Sequence, residues 1–246
     1  MWHRLTTGDH LGEIMNRKYI CLFCIVVCIT GTAFSVKKVL ETSSTRMQNE
    51  LSGYTVVIDA GHGGMDPGKV GAGQILEKDV NLAVASRVRG YLEENRIQVV
   101  MTRTSDIMLG DSSSSSRKQQ DMRERIRIIE DTVPDIVVSI HQNSFQEASS
   151  RGAQVFYYEG SQKGQELAEI LQSELISSVD STNHRKAKAD HSYYLLKKSA
   201  YTTVIVECGF LSNPEEAQKL SEKEYQDKMA QAIARGIIKY VGGEKN

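Results

Sequence analysis

From residue 54 onward, short apolar runs alternate with stretches in which apolar positions recur every three or four residues. Residues 54–60, YTVVIDA, form a continuous apolar run closed by Asp-Ala and a glycine loop, the pattern of a buried strand. Residues 97–102, 136–140, 154–158 and 203–206 (TVIV) repeat that pattern, which predicts five strands. Between them, residues 78–95 carry Val80, Leu82, Ala83, Val84, Val88, Tyr91 and Leu92 at the spacing of an amphipathic helix, and residues 117–131 and 162–178 read the same way. Residues 215–240 read as a closing helix. Strands alternating with helices predict an α/β domain, its sheet covered by helices on both faces.

In such sheets, ligands gather beyond the carboxyl ends of the strands. His62 follows the first predicted strand, His141 follows the third and Glu207 follows the fifth. Residues distant in sequence are thereby brought to one edge.

The N-terminal segment differs. Residues 19–34 carry no charge and lie between Arg17-Lys18 and Lys37-Lys38, which reads as an export signal or a membrane anchor spanning residues 1–35. Met15 followed by Asn-Arg-Lys would make a tidier start. Residues 36–52 read as a polar, Ser/Thr-rich linker, and residues 53–246 as the single folded domain. The domain is thus expected outside the cytoplasm, held at the membrane if the segment is uncleaved. Cys21, Cys24 and Cys28 lie in the apolar segment and only Cys208 lies in the domain, so no disulfide framework is expected. The formal net charge is −1. That argues against a nucleic-acid partner, which would call for a strong basic excess.

Two imidazoles and a carboxylate make a set suited to catalytic zinc with one position open. His62 lies in Gly61-His62-Gly63-Gly64, where glycines allow a tight turn, and Glu77 opens a helix whose dipole favours an ionised carboxylate. Glu207 is the candidate general acid/base, Asp59 a candidate support for a ligand histidine, and Asn143 a candidate for orienting substrate. The residues alone leave other readings open. A histidine after a strand is commonly structural, Glu77 is also an ordinary helix-start residue, and Glu207 would serve equally as a buried, salt-bridged acid. His184 and His191 lie in a polar loop and read as a solvated face.

The stretches VVIDAGHGGMDPG (56–68), EKDVNLAVA (77–85), VVMTRTSD (99–106), DIVVSIHQNS (135–144) and VIVECGFLSNPEE (204–216) resemble, in order, the zinc-dependent N-acetylmuramoyl-L-alanine amidases of the amidase-3 type. That resemblance implies a phosphorylase/hydrolase-like sandwich with a mixed central sheet. It implies Zn²⁺ on His62, Glu77 and His141, Glu207 as the catalytic glutamate, and cleavage of the amide between N-acetylmuramic acid and L-alanine in peptidoglycan. Glu77 owes its place mainly to the resemblance. The bare catalytic domain behind a leader, with a serine-rich extension at residues 107–118, is similar to the CwlD-type germination amidases of spore formers, which act in the cortex ahead of muramic-δ-lactam formation. Arg103 and Arg125 are candidates for meeting stem-peptide carboxylates, with a packed structural ion pair as the other reading. The lack of an added wall-binding module suggests an activating or localising protein partner. The competing function is a zinc metallopeptidase or carboxypeptidase acting on cell-wall peptides.

Overall fold

A computed structural model describes residues 37, 38, 49, 51–110 and 116–243. The apolar leader segment, most of the linker and most of the serine run lie outside the described residues. A compact unit runs from Asn49 to Asn246. Among the described residues it holds six strands: β1 (Thr55–Ala60), β2 (Gln98–Met101), β3 (Ile136–Asn143), β4 (Gln154–Tyr158), β5 (Lys188–Asp190) and β6 (Thr202–Phe210). They form one sheet in the order β2-β1-β3-β6-β4-β5. All neighbouring pairs are parallel except β4–β6, so the sheet is mixed. The helices are α1 (Glu77–Glu94), α2 (Arg117–Thr132), α3 (Gln162–Ser178), α4 (Tyr194–Lys198), α5 (Pro214–Ser221) and α6 (Lys223–Gly243).

Successive strand residues face opposite sides of the sheet. On one side Val56 and Ile58 of β1, Val138 of β3, and Val204 and Val206 of β6 are buried against α1, α3 and α6, which contribute Val84, Leu92, Leu171 and Ile233 to one large core. On the other side Val57 and Val137 pack against Ile129 of α2 and Leu195 of α4 in a smaller cluster. Toward the carboxyl ends of the strands this second face becomes polar. Asp59 and Ser139 are in register on β1 and β3, and two residues further on His141 is in register with Glu207. The functional row is therefore built from the same alternation that makes the core.

The structure extends two predicted strands and adds one. β3 runs past His141 to Asn143, and β6 runs past Glu207 to Phe210, so both residues are held within the sheet rather than in the loops beyond it. β5 was not expected, since three residues carry almost no periodicity. The closing helix is split where Glu222 adopts an extended conformation between α5 and α6. α5 has its own start signal, with the Asn213 side chain accepting from the backbone N–H groups of Glu215 and Glu216 and Pro214 in the first turn. Leu51 is buried in the main core, so packing reaches two residues into the stretch read as linker. No helix among the described residues is long and apolar enough to cross a membrane.

Leu171 of α3 packs against α6, where a Cβ on Gly236 would fall 2.7 Å from its Cδ2. That close approach leaves little room for the site to collapse around a void. Leu171→Ala is expected to cost about 2–5 kcal/mol, read as a lower urea midpoint with an unchanged slope.

Candidate metal centre and active site

His62 stands in the turn after β1 with φ of 61°, a left-handed conformation that a non-glycine residue holds only under constraint. The constraint is a set of side chains that bind the carbonyls of the turn. Arg103 donates from Nε to the Ala60 carbonyl (2.8 Å) and from Nη2 to the carbonyls of Gly61 (3.0 Å) and Lys78 (2.8 Å). Arg125 donates to the carbonyls of Ala60 (2.9 Å) and His62 (2.8 Å). Asn81 adds a bond to Gly61, and Lys78 one to Gly64. The turn is thus held from several sides by side chains of other elements.

Glu77, the first residue of α1, is buried at the centre of the cluster. Its Oε1 lies 3.2 Å from His62 Nε2 and 3.0 Å from His141 Nδ1, and it accepts from the Gln142 backbone N–H at 3.1 Å. Its Oε2 accepts from the Lys69 backbone N–H at 2.8 Å. The Asp66 carboxylate sits 2.9 Å from His62 Nδ1. With the Nδ1 hydrogen given to Asp66, Nε2 on the Glu77 side would be the nitrogen available to a metal ion. One donor atom from each of His62, Glu77 and His141 lies within 4.8 Å of the others, a grouping able to hold a metal ion. The two imidazole rings meet edge to face with centroids 5.1 Å apart.

The electrostatics suit a cation. Burial disfavours a charged His62, but Glu77 and Asp66 outweigh it and push that imidazole up to about 9. Burial likewise opposes ionisation of Glu77, and the hydrogen bonds and charge of His141 and His62 overcome it, so the carboxylate is held well below its usual range. The packing here is close. A Cβ on Gly61 would lie 2.2 Å from His141 Cε1, and one on Gly68 (φ 65°) would lie 2.6 Å from Glu77 Oε2.

Glu207 faces this cluster from β6. It is only 5% exposed, its Oε1 accepts from the Tyr193 hydroxyl at 3.1 Å, and its Oε2 is buried with no partner among the described residues. Burial raises its carboxyl above the ordinary range, although His141 works against that shift. A cavity of about 300 Å³ adjoins the cluster and is bounded by His62, His141, Tyr193, Tyr194, Met122 and Lys118. Asp66 and Lys118 also border a neighbouring cavity of about 510 Å³ beside Met65 and Met108. The two cavities thus meet at Asp66 and at Lys118 in the first turn of α2.

Residues 56–239 match the amidase-3 family, described as N-acetylmuramoyl-L-alanine amidase. The chain belongs to the N-acetylmuramoyl-L-alanine amidase family. It is 43% identical over 193 residues to the germination-specific N-acetylmuramoyl-L-alanine amidase of Bacillus subtilis (strain 168), covering 77% of this chain and 81% of that protein. The CwlD amidase from Clostridioides difficile, solved in complex with the GerS lipoprotein, superposes with a TM-score of 0.74 at 38% identity, covering 76% of this chain and 98% of that one. The AmiC2 amidase of Nostoc punctiforme superposes at 0.67 with 36% identity, covering 76% and 96%.

In this amidase the two arginines singled out for stem-peptide carboxylates are placed differently from that expectation. Arg103 is 2% exposed and Arg125 is 1% exposed. Each has four of its five N–H donors engaged, Arg103 on carbonyls and Arg125 on Asp59, Asp121 and two carbonyls. They are framework for the His62 turn, which corresponds to the packed reading the sequence also allowed. Asp59 does not reach a ligand histidine. It accepts from Arg125, Thr102 and Ser139, and the support for His62 comes from Asp66, which the sequence reading did not single out. Asn143 ends β3, with its Oδ1 turned to the Ser144 backbone N–H and its carbonyl to Leu211. His184 and His191 are exposed, and His191 lies beside Glu159. Tyr193 was also missed. Its signal was the Asp190-His-Ser192 spacing, typical of a turn in which an aspartate binds the backbone ahead of it.

Two outcomes follow from this framework. Burial would raise Asp59, but the Arg125 guanidinium and the Ser139 and Thr102 hydroxyls hold it at about 2, against 3.8 in an open chain. Its stabilising contribution is therefore complete above about pH 4 and disappears as pH falls toward 2. Wild-type urea stability should drop across that window by on the order of 2 kcal/mol from this group, and Asp59→Asn should be less stable at neutral pH with a shallower acid slope. Separately, Gly61→Ala forces the His141 ring aside. Its metal affinity, measured by chelator competition, should fall at least about tenfold.

Proposed function

We propose that this amidase hydrolyses the amide between the lactyl carbonyl of N-acetylmuramic acid and the L-alanine amine of the stem peptide in spore-cortex peptidoglycan, with zinc as its metal. The observation that carries the chemistry is the His62–Glu77–His141 cluster facing a buried Glu207 that has one unpartnered oxygen. The cortex as the place of action is supported by the likeness to a germination-specific amidase of Bacillus subtilis and to the CwlD amidase. Stripping stem peptides there would supply the peptide-free muramic acid from which muramic-δ-lactam is made.

When bound, zinc supplies Lewis acidity that lowers the pKa of a water molecule and polarises the scissile carbonyl. Glu207 takes a proton from the attacking water, the new C–O bond forms, and Glu207 returns that proton to the alanine nitrogen as the C–N bond breaks. Its burial with one oxygen unpartnered suits a group that must both accept and release a proton. Asp66 fixes the His62 tautomer, and Arg103 and Arg125 fix the turn that carries it. Adjoining cavities at the start of α2 suit a long glycan strand better than a single closed pocket would. Asn143 is a candidate for orienting the peptide.

Peptidoglycan lies outside the cytoplasm, and the charged-apolar-charged pattern of residues 17–38 supports export, with membrane attachment if that segment is retained. The CwlD amidase was solved with a lipoprotein bound, which supports a protein partner for this enzyme as well.

Digestion of purified cortex should release stem peptides with new L-alanine amino termini and leave intact, peptide-free glycan. Cleavage only within the peptides would replace the amidase reading with a metallopeptidase. Chelation should abolish turnover and added zinc should restore it. Glu207→Gln should lower kcat by about 10²–10⁴-fold while zinc content stays at the wild-type level.

A further inference from the structure

β5 and α4 bring to the site a side chain that neither the metal cluster nor the acid/base assignment requires. Asp190, the last residue of β5, accepts through Oδ1 from the Ser192 backbone N–H (2.6 Å), the Ser192 hydroxyl (2.7 Å) and the Tyr193 backbone N–H (3.1 Å). This turn carries the chain off the sheet edge and into α4, which is anchored by the buried Leu195 and Leu196. Tyr193 is pinned between the two. Its ring leans on Phe156 with centroids 5.4 Å apart, and its hydroxyl donates to Glu207 Oε1. Among the described residues that phenol is the one hydrogen-bond partner of the Glu207 side chain, and Oε2 is left bare.

The backbone of Glu207 is fixed by the β3–β6 ladder opposite His141. The ladder does not fix the side-chain torsions, and a carboxylate free to rotate would present either oxygen. We propose that Tyr193 is a positioning residue for the amidase reaction, holding one oxygen of Glu207 so that the other is the one that exchanges the proton. This rests on Glu207 being the acid/base. The phenol itself neither gains nor loses a proton in the cycle. It donates to Oε1 while Oε2 receives the proton from water and passes it to the leaving nitrogen.

Tyr193→Phe keeps the ring against Phe156 and removes only the hydroxyl. On purified cortex peptidoglycan its kcat should fall about tenfold to a hundredfold, the loss expected for one hydrogen bond to a charged group. KM, zinc content and melting temperature should stay at wild-type values. In the Glu207→Gln background, adding Tyr193→Phe should cause no further loss, because residues that act through one another are not additive. A kcat within twofold of wild type for Tyr193→Phe, or an additive loss in the double variant, overturns the proposal. Full turnover by Glu207→Gln alone would instead remove the acid/base assignment, and the positioning role with it. The two failures are therefore distinguishable in one assay.

Discussion

The centre depends on a buried cation that is not itself a candidate ligand. Arg125 is withdrawn from water under the His62 turn, a placement that costs several kcal/mol unless the guanidinium is paired and hydrogen-bonded. Asp59 from β1 and Asp121 one helical turn earlier on α2 neutralise it, and further donors close on the carbonyls of Ala60 and His62. One side chain thus joins the helix, the sheet and the turn. Arg103 reaches the Ala60 and Gly61 carbonyls as well. With its carbonyls occupied, the turn can keep His62 in a left-handed conformation that otherwise costs on the order of 1–3 kcal/mol.

The strands and long helices were legible because burial on both faces writes continuous apolar runs, and amphipathic helices write a 3.6-residue period. His141 and Glu207 were legible for the same reason: each is a polar residue that interrupts or follows such a run. β5 was not, because three mostly exposed residues at a sheet edge need no pattern. The break at Glu222 has no glycine or proline to mark it. The arginines show a different limit. A charged residue in a sequence declares its charge and not its depth, so Arg103 and Arg125 read equally as partners for stem-peptide carboxylates or as a packed ion pair. One clue was available, since Asp121 and Arg125 are four apart on a predicted helix. The partner that decides burial, Asp59, is 66 residues away. Glu77 needed the family resemblance because a helix-start glutamate is commonplace, and only the fold brings it to two histidines.

Glu77 and Glu207 are the same residue type, buried to almost the same degree, yet their environments drive them apart. Glu77 accepts backbone N–H groups from Lys69 and Gln142, lies at a helix N-terminus, and touches both imidazoles. Every one of those contacts favours the charged form, so its proton is lost and both oxygens are committed. Among the described residues Glu207 receives a single phenol hydrogen bond, and desolvation, only partly opposed by His141, favours the neutral form. A permanently ionised carboxylate is what a metal ligand must be, and a carboxylate with a raised pKa is what a proton carrier must be. Two carboxyl groups separated in this way support the proposed assignment of Glu77 to the metal and of Glu207 to proton transfer. The separation arises from backbone placement. A residue opening a helix beside a tight turn finds N–H donors close by. A residue in mid-strand has its neighbours' N–H groups committed to the ladder, and only a side chain brought from elsewhere, here Tyr193, can reach it.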